Sequence, residues 1–396
     1  MEPGEIVYYP RGFGLKAAIA PALAADYHSA IVTRLKESGH VLNVGDLTFR
    51  LAREFGFCYG VDRAVEYAYE TCRRFPGRRI HLTGEIIHNP HVNRRMQEMG
   101  IGFLRHAADG PGFEGVNPGD VVILPAFGVT VDELESLRRA GAVLVDTTCG
   151  SVMNVWKNVE KFSSTGFTAL IHGKYAHEET RATASRASQY PGGRYLVVRD
   201  HTEAEIVCAY IRRGGGAAAF LDRFARACSP GFDPDRDLQR VGLANQTTML
   251  SSESIEIQTM VREALIDRHG PGEIEARFRA FDTICSATQD RQDAVLDLLA
   301  SRPDLMVVIG GYNSSNTTHL AALAARTLPA YHIEEAACIR ADAIRHKPPG
   351  GGEVETSGWL PAGRVTVGLT AGASTPNNKI GEVVEAIVRL RGLSID

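Results

Sequence analysis

From about residue 47 onward, short apolar runs alternate with amphipathic stretches of helical period. The runs at 80–83, 120–125, 142–146, 168–172, 195–198, 305–309 and 365–369 are brief and nearly continuous in apolar residues, as buried strands of parallel sheets are. Between them, apolar residues recur every three to four positions over 61–74, 92–99, 131–140, 152–163, 178–188, 203–212, 254–268, 292–300, 318–325 and 380–390, which predicts helices. Strands and helices of this length in alternation imply parallel sheets joined by crossover helices. The first forty-five residues mix Gly and Pro with one helical stretch at 25–36 and read as an extension wrapped on the body or on a second subunit. The charged GFDPD segment near 231 and the Gly- and Pro-rich stretch 346–361 read as surface excursions.

One local pattern occurs three times. A partly apolar segment, LTFRLAREFGF, runs into Cys58 and is followed by a helical pattern through Val61, Ala64, Val65 and Ala68. AVLVDTTC ends at Cys149 and runs into VMNVWKNVEKF; FRAFDTIC ends at Cys285 and runs into SATQDRQDAVLDLL. Each cysteine therefore stands where a strand hands over to a helix, where free backbone N–H groups and the helix dipole favour a thiolate. The repetition predicts an α/β fold of three pseudo-symmetric βαβα units arranged as a trefoil around a central metal centre. The expected division is an N-terminal extension (1–46) and units at 47–148, 149–283 and 284–396. The spacing matches neither the tight ferredoxin runs nor a zinc CxxC pair, and a single such cysteine is as readily a buried apolar residue. Cys72, Cys208, Cys228 and Cys338 lie within or beside helical patterns and read as packing residues.

Composition narrows the setting. The net charge of −4 argues against a general nucleic-acid binder, and no apolar run has the length needed to cross a bilayer. Glu2 and Glu5 at the start, without a basic leader, do not suit a secretory signal. Seven cysteines outside any small secreted framework point to a reducing cytoplasm.

Further polar clusters follow strands, where parallel α/β proteins place ligands. GEIIHNPHV supplies His88, Asn89 and His91; IHGKYAHEET supplies His172, His177, Glu178 and Glu179; ANQTTM supplies Asn245, Gln246, Thr247 and Thr248. GGYNSSNTTHL supplies Asn313, Ser314, Ser315 and Asn316, and AGASTPNN supplies Ser374. Singly, such a histidine is a structural hydrogen-bonder, a Ser-Ser-Asn run a helix cap, and Glu179 an exposed first-turn residue. Together, hydroxyls, amides, imidazoles and helix N-termini form a cradle suited to phosphate oxygens without a Walker lysine. Neither GxxxxGK[ST] nor a GxGxxG after a strand is present, so nucleotide binding is not supported. Glu179, close to His177, is the candidate proton donor.

In this order, FGFCYGVDRA, HNPHV, DTTC, AHEET, NQTTM, DTICSATQDRQ, GGYNSSNTTHL and TAGAS resemble the 4-hydroxy-3-methylbut-2-enyl diphosphate reductase family, which performs the last step of the methylerythritol phosphate route to isoprenoids. LPAFGV and the FDPD insertion resemble the plant and cyanobacterial branch. The resemblance implies an iron-sulfur oxidoreductase of the cytoplasm with one 4Fe-4S cluster on Cys58, Cys149 and Cys285 and an open fourth iron. It implies that His88, His177, Ser314, Ser315, Asn316 and Ser374 line a diphosphate site, with Gln246 and Thr248 nearby. Glu179 and Thr247 would face the hydroxyl that leaves as water, Glu179 supplying protons. The products implied are isopentenyl and dimethylallyl diphosphate. The expected partners are the allylic diphosphate and, since flavin and nicotinamide motifs are missing, a reduced ferredoxin or flavodoxin. Phe127 departs from the family, many members of which carry histidine there. The rival readings are another open-iron trefoil enzyme, of the quinolinate synthase kind, and a non-catalytic metal-cluster protein.

Overall fold

Parallel strands buried on both faces need mostly apolar side chains, and the strands here are built accordingly: Val121–Leu124, Thr168–His172, Val241–Asn245 and Leu305–Ile309 are buried at every position, with polar residues only at the strand ends Thr168, His172 and Asn245. The structure, a computed structural model, describes residues 7–107, 110, 112–281 and 283–395. The first six residues of the expected extension and Asp282 of the DTIC run lie outside them.

The chain divides into two compact units. The first comprises the described residues of Met1–Arg11, Gly77–Gly84 and Ile101–Cys285 and holds two sheets. One runs Tyr8–Tyr9, Val143–Asp146, Val121–Leu124, Ile80–Leu82, Gly102–Phe103; the other runs Phe278–Ala280, Val241–Asn245, Thr168–His172, Tyr195–Val198. Every pairing in both is parallel. Helices Gly150–Ser164, His201–Arg213 and Ser251–His269 cover the second sheet through Val155, Val159, Phe162, Val207, Ile257 and Val261, all fully buried. The second unit, the described residues of Gly12–Pro76, Glu85–Gly100 and Ser286–Asp396, holds the third sheet, ordered Ala330–Ile333, Leu305–Ile309, Val365–Ala371, Leu47–Leu51, Val41–Val44. Its core gathers Phe49, Val307, Leu369, Ile380 and Val384.

Three sheets of four or five strands are therefore present among the described residues, but the boundaries differ from those read in the sequence. Leu47–Leu51, expected to open the first unit, pairs in parallel with Val365–Ala371, from Val365 against Leu47 to Leu369 against Leu51. The beginning of the chain thus completes the sheet that its end begins; Cys149 and Cys285 follow the last strands of their sheets in chain order, and Cys58 follows Leu47–Leu51, an early strand paired with the last one of its sheet. The extension carries several elements of its own. Tyr8–Tyr9 adds an edge strand beside Val143–Asp146, and the helical stretch is two helices, Lys16–Tyr27 and Ala30–Glu37. They break at Ser29, whose hydroxyl accepts the Val32 N–H as an N-cap. The stretch 346–361 contains one arm of an antiparallel hairpin, Ala343–His346 with Val354–Ser357, around the Pro-Pro-Gly-Gly-Gly turn.

Candidate active site

The three cysteines stand on corners of one design. Cys58 and Cys149 are the N-caps of helices Tyr59–Arg74 and Gly150–Ser164, both in extended conformation, and Cys285 is the residue before Ser286–Ala300. In each case the cysteine N–H donates to a carbonyl two residues beyond the end of the neighbouring parallel strand. Cys58 bonds Ala373 O at 3.2 Å, past Val365–Ala371; Cys149 bonds Ala126 O at 2.8 Å, past Val121–Leu124; Cys285 bonds Thr247 O at 3.3 Å, past Val241–Asn245. Two residues earlier the match continues, with Gly56 N–H to Ala371 O and Thr147 N–H to Leu124 O. The repetition that residue identity barely hinted at is thus a repetition of backbone bonds. None of the seven cysteines is in a disulfide. Burial pushes the thiols of Cys72 and Cys208 up to about 11 and raises that of Cys228, which suits packing residues and not thiolates.

The Cys58 corner is braced from beneath. Arg291, 4% exposed, donates from Nε and Nη2 to Gly56 O at 3.3 and 2.8 Å, and from Nη2 to Phe57 O at 3.2 Å. Sequence reading passed over it, because its partners lie 235 residues away in the chain.

In the first unit, Glu179, Thr247, Gln246 and His177 form one network. Glu179 is 3% exposed and not the exposed helix residue that its place in the first turn allows. Its Oε1 accepts Thr247 N–H at 2.6 Å and its Oε2 accepts the Thr247 hydroxyl at 2.9 Å. Gln246 Oε1 accepts from Lys174 N and Thr180 Oγ1, and its Nε2 donates to Thr248 Oγ1 at 2.9 Å. His177 caps the Glu178–Ala187 helix, its Nδ1 accepting the Glu179 N–H at 3.2 Å. An accepting Nδ1 carries no hydrogen, so the ring proton sits on Nε2, which is then a donor. Phe127 presents its ring edge-on to that of His177, with centroids 6.2 Å apart. It contributes an apolar wall where a histidine would contribute a donor. His172 is wholly buried against Ser254 Oγ, a structural role.

In the second unit, three loops are tied together at the C-terminal edge of its sheet. Ser374 Oγ donates to His88 O at 3.1 Å, and Ala373 N–H donates to Asn316 Oδ1 at 2.9 Å. The loops approach so closely that a Cβ on Gly311 would lie 2.6 Å from His88 O and one on Gly372 1.9 Å from Thr317 Oγ1, so only glycine fits at either place. Ser314 does cap the Ser315–Ala325 helix, accepting Thr317 N–H at 3.3 Å, and its own hydroxyl hydrogen is left to donate elsewhere. Asn316, 2% exposed, has its Oδ1 engaged while Nδ2 is buried with no hydrogen-bond partner among the described residues. A buried, unpaired N–H in the first turn of a helix costs about 1–3 kcal/mol, a cost that an incoming anion removes.

An α/β protein of three parallel-rich sheets, with a cysteine corner at each and polar donors on the loops beside the corners, is the class that fold and site define. The chain belongs to the LytB protein family, whose model matches residues 49–388. It is 49% identical over 386 residues to a 4-hydroxy-3-methylbut-2-enyl diphosphate reductase of Nostoc sp. (strain PCC 7120), covering 97% of this chain and 95% of that one. It is 50% identical over 393 residues to the enzyme of the same name from Gloeobacter violaceus, covering 98% and 93%. Among solved structures it resembles an (E)-4-hydroxy-3-methyl-but-2-enyl diphosphate reductase described as the terminal enzyme of the non-mevalonate pathway, with 26% identity, a TM-score of 0.50, and 86% and 98% of the two chains covered. It shares its fold with the Plasmodium falciparum E-1-hydroxy-2-methyl-but-2-enyl-4-diphosphate reductase at a TM-score of 0.62 and 20% identity, over 85% and 86% of the chains.

Proposed function

We propose that this chain reduces 4-hydroxy-3-methylbut-2-enyl diphosphate to isopentenyl and dimethylallyl diphosphate. The observation that carries the reading is the thrice-repeated corner, each with a thiol beside a helix N-terminus, in a chain of the LytB family. Three soft sulfur donors at positively polarised helix ends suit an anionic iron-sulfur cluster, and Cys58, Cys149 and Cys285 are its ligands in this reading. When bound, a 4Fe-4S cluster with one iron open to substrate supplies Lewis acidity and a path for single electrons.

The protein's own residues do the rest. His88, His177, Ser314, Ser315, Asn316 and Ser374 take the diphosphate, Asn316 Nδ2 gaining the partner it lacks. Binding energy at that tail positions the allylic alcohol. The reaction breaks the allylic C–O bond, takes up two electrons and two protons, and releases water. Glu179 is the proton store: when protonated at Oε2 it donates to the Thr247 hydroxyl, 2.9 Å away, reversing the bond that the carboxylate accepts, and that hydroxyl passes its own hydrogen toward the leaving oxygen. Gln246 and Thr248 hold the Thr247 turn. Two electrons come from an external one-electron carrier, a reduced ferredoxin or flavodoxin, and the enzyme works in the cytoplasm. Among the described residues, no helix is long and apolar enough to cross a membrane.

The test is anaerobic turnover of the allylic diphosphate with a one-electron reductant, followed by mass spectrometry. Both isomeric diphosphates are expected. Dehydration or condensation products without consumption of reductant would overturn the reading in favour of quinolinate synthase-like chemistry.

A further inference from the structure

The two histidines assigned to the diphosphate are held in opposite tautomers, and the residue responsible at His88 is one that the sequence did not single out. Glu85 Oε2 lies 2.9 Å from His88 Nδ1, and the same oxygen accepts Asn313 Nδ2 at 2.7 Å, a much shorter approach than the 3.4 Å between Asn313 Nδ2 and His88 Nδ1. A carboxylate oxygen only accepts, so His88 Nδ1 must carry hydrogen, the reverse of His177, whose Nδ1 accepts. The backbone of His88 is fixed as well, since its carbonyl receives the Ser374 hydroxyl and packs on Gly311. Asn313 immediately precedes Ser314, so one carboxylate oxygen ties the ring to the loop that starts the Ser315–Ala325 helix.

We infer that Glu85 is the positioning residue of the diphosphate site: it fixes the tautomer and tilt of the His88 ring so that Nε2 meets phosphate oxygen, and it locks the ring to the Asn313–Asn316 loop. An exposed acid three residues from a histidine would ordinarily contribute little. Here the side chain of His88 is only 11% exposed, the pair sits in a loop and not on a helix surface, and the acceptor oxygen is shared with a second loop. Glu85 touches no substrate in this account and acts through His88. The inference rests on the reading of His88 as a diphosphate ligand.

A double-mutant cycle separates the two, with inorganic pyrophosphate as the probe and calorimetry on the anaerobically purified full chain as the measurement. H88A is expected to weaken binding about tenfold, the scale of one hydrogen bond to a charged group. E85A is expected to weaken it by about the same factor, and E85Q, whose amide oxygen still accepts from Nδ1, to recover most of that loss. In the H88A background, E85A should add less than about twofold, because the group it acts through is already gone. Wild-type protein that binds no pyrophosphate, or H88A that binds it normally, overturns the diphosphate reading and the inference with it. H88A weakened with E85A unaffected, or E85A costing its full factor without His88, overturns the inference alone. Independently of any change at Glu85, the nitrogen-15 spectrum of histidine-labelled protein, with H88Q to assign the signal, should show His88 protonated at Nδ1. A ring protonated only at Nε2 contradicts the proposal.

Discussion

Two polar regions of this molecule are built on opposite principles. Around Glu179 the network closes on itself: each carboxylate oxygen is matched to a donor of Thr247, and Gln246 is bonded at both ends of its amide. Around Asn316 the network is left open. The loops are tied by Ser374, Ala373 and Asn313, yet Asn316 Nδ2 is buried with no partner among the described residues. A closed network fixes where a proton sits and by which atom it leaves; an open one holds donors ready for a ligand that completes it. In the proposed reading the closed network is the proton-handling region and the open one is the binding region.

The largest effect that tests this contrast is at Glu179. E179Q keeps the shape and one of the two acceptors for Thr247 but cannot carry a proton, so kcat should fall by about two to four orders of magnitude with pyrophosphate affinity unchanged. Normal turnover by E179Q would remove its role and dissolve the contrast.

The second effect is in acid and falls on the binding side. His332, buried, donates Nε2–H to Gly310 O at 2.9 Å at the root of the Asn313–Asn316 loop, and burial holds its imidazole down to about 4. Since the unfolded chain takes up that proton near the ordinary value, stability should be lost as pH falls from about 6.5 toward 4, by about 3 kcal/mol in total. His91 and His346, lowered in the same direction by burial, add to the slope. Denaturant titrations at pH 7 and pH 4.5 should show the loss, and H332Q should show a smaller one. Equal slopes for both proteins would contradict the assignment.

The third effect is smaller. N316D keeps Oδ1 accepting from Ala373 N–H but replaces the unpaired donor with an oxygen, so KM for the diphosphate should rise about tenfold with kcat changed less. An unchanged KM would mean that the open donor is not a binding group.

Much of this was legible in the chain. Cys58, Cys149 and Cys285 stood out because a strand, a cysteine and a helix followed one another three times, a signal carried by neighbours in sequence. Glu179 and Asn316 sat in polar runs directly after apolar strands, which is again local. What depends on distant partners was not legible. Leu47–Leu51 looks like the start of a unit, and only its pairing with Val365–Ala371 reveals it as the closing strand of a sheet whose other parallel members lie near the C-terminus. The Ala343–Ser357 hairpin was hidden because its turn of prolines and glycines dominates the composition of short polar arms. Glu85 and Arg291 carry ordinary charges in ordinary places, and their importance lies in His88, Asn313 and the Gly56 and Phe57 carbonyls that the fold brings to them. At Phe127 the structure sets an edge-on ring against His177, a contact that its place in the LPAFGV run did not reveal.

The claim on which the rest depends is that the three corner thiols hold one iron-sulfur cluster. Iron and sulfide analysis with visible absorbance, on anaerobically purified wild type and on C58S, C149S, C285S and the packing-site control C208A, tests it most directly. The account requires about four irons and four sulfides per chain in the wild type and in C208A, and loss of the absorbance or of iron from each of the three corner variants. Full iron, sulfide and absorbance in any one of C58S, C149S or C285S would contradict it.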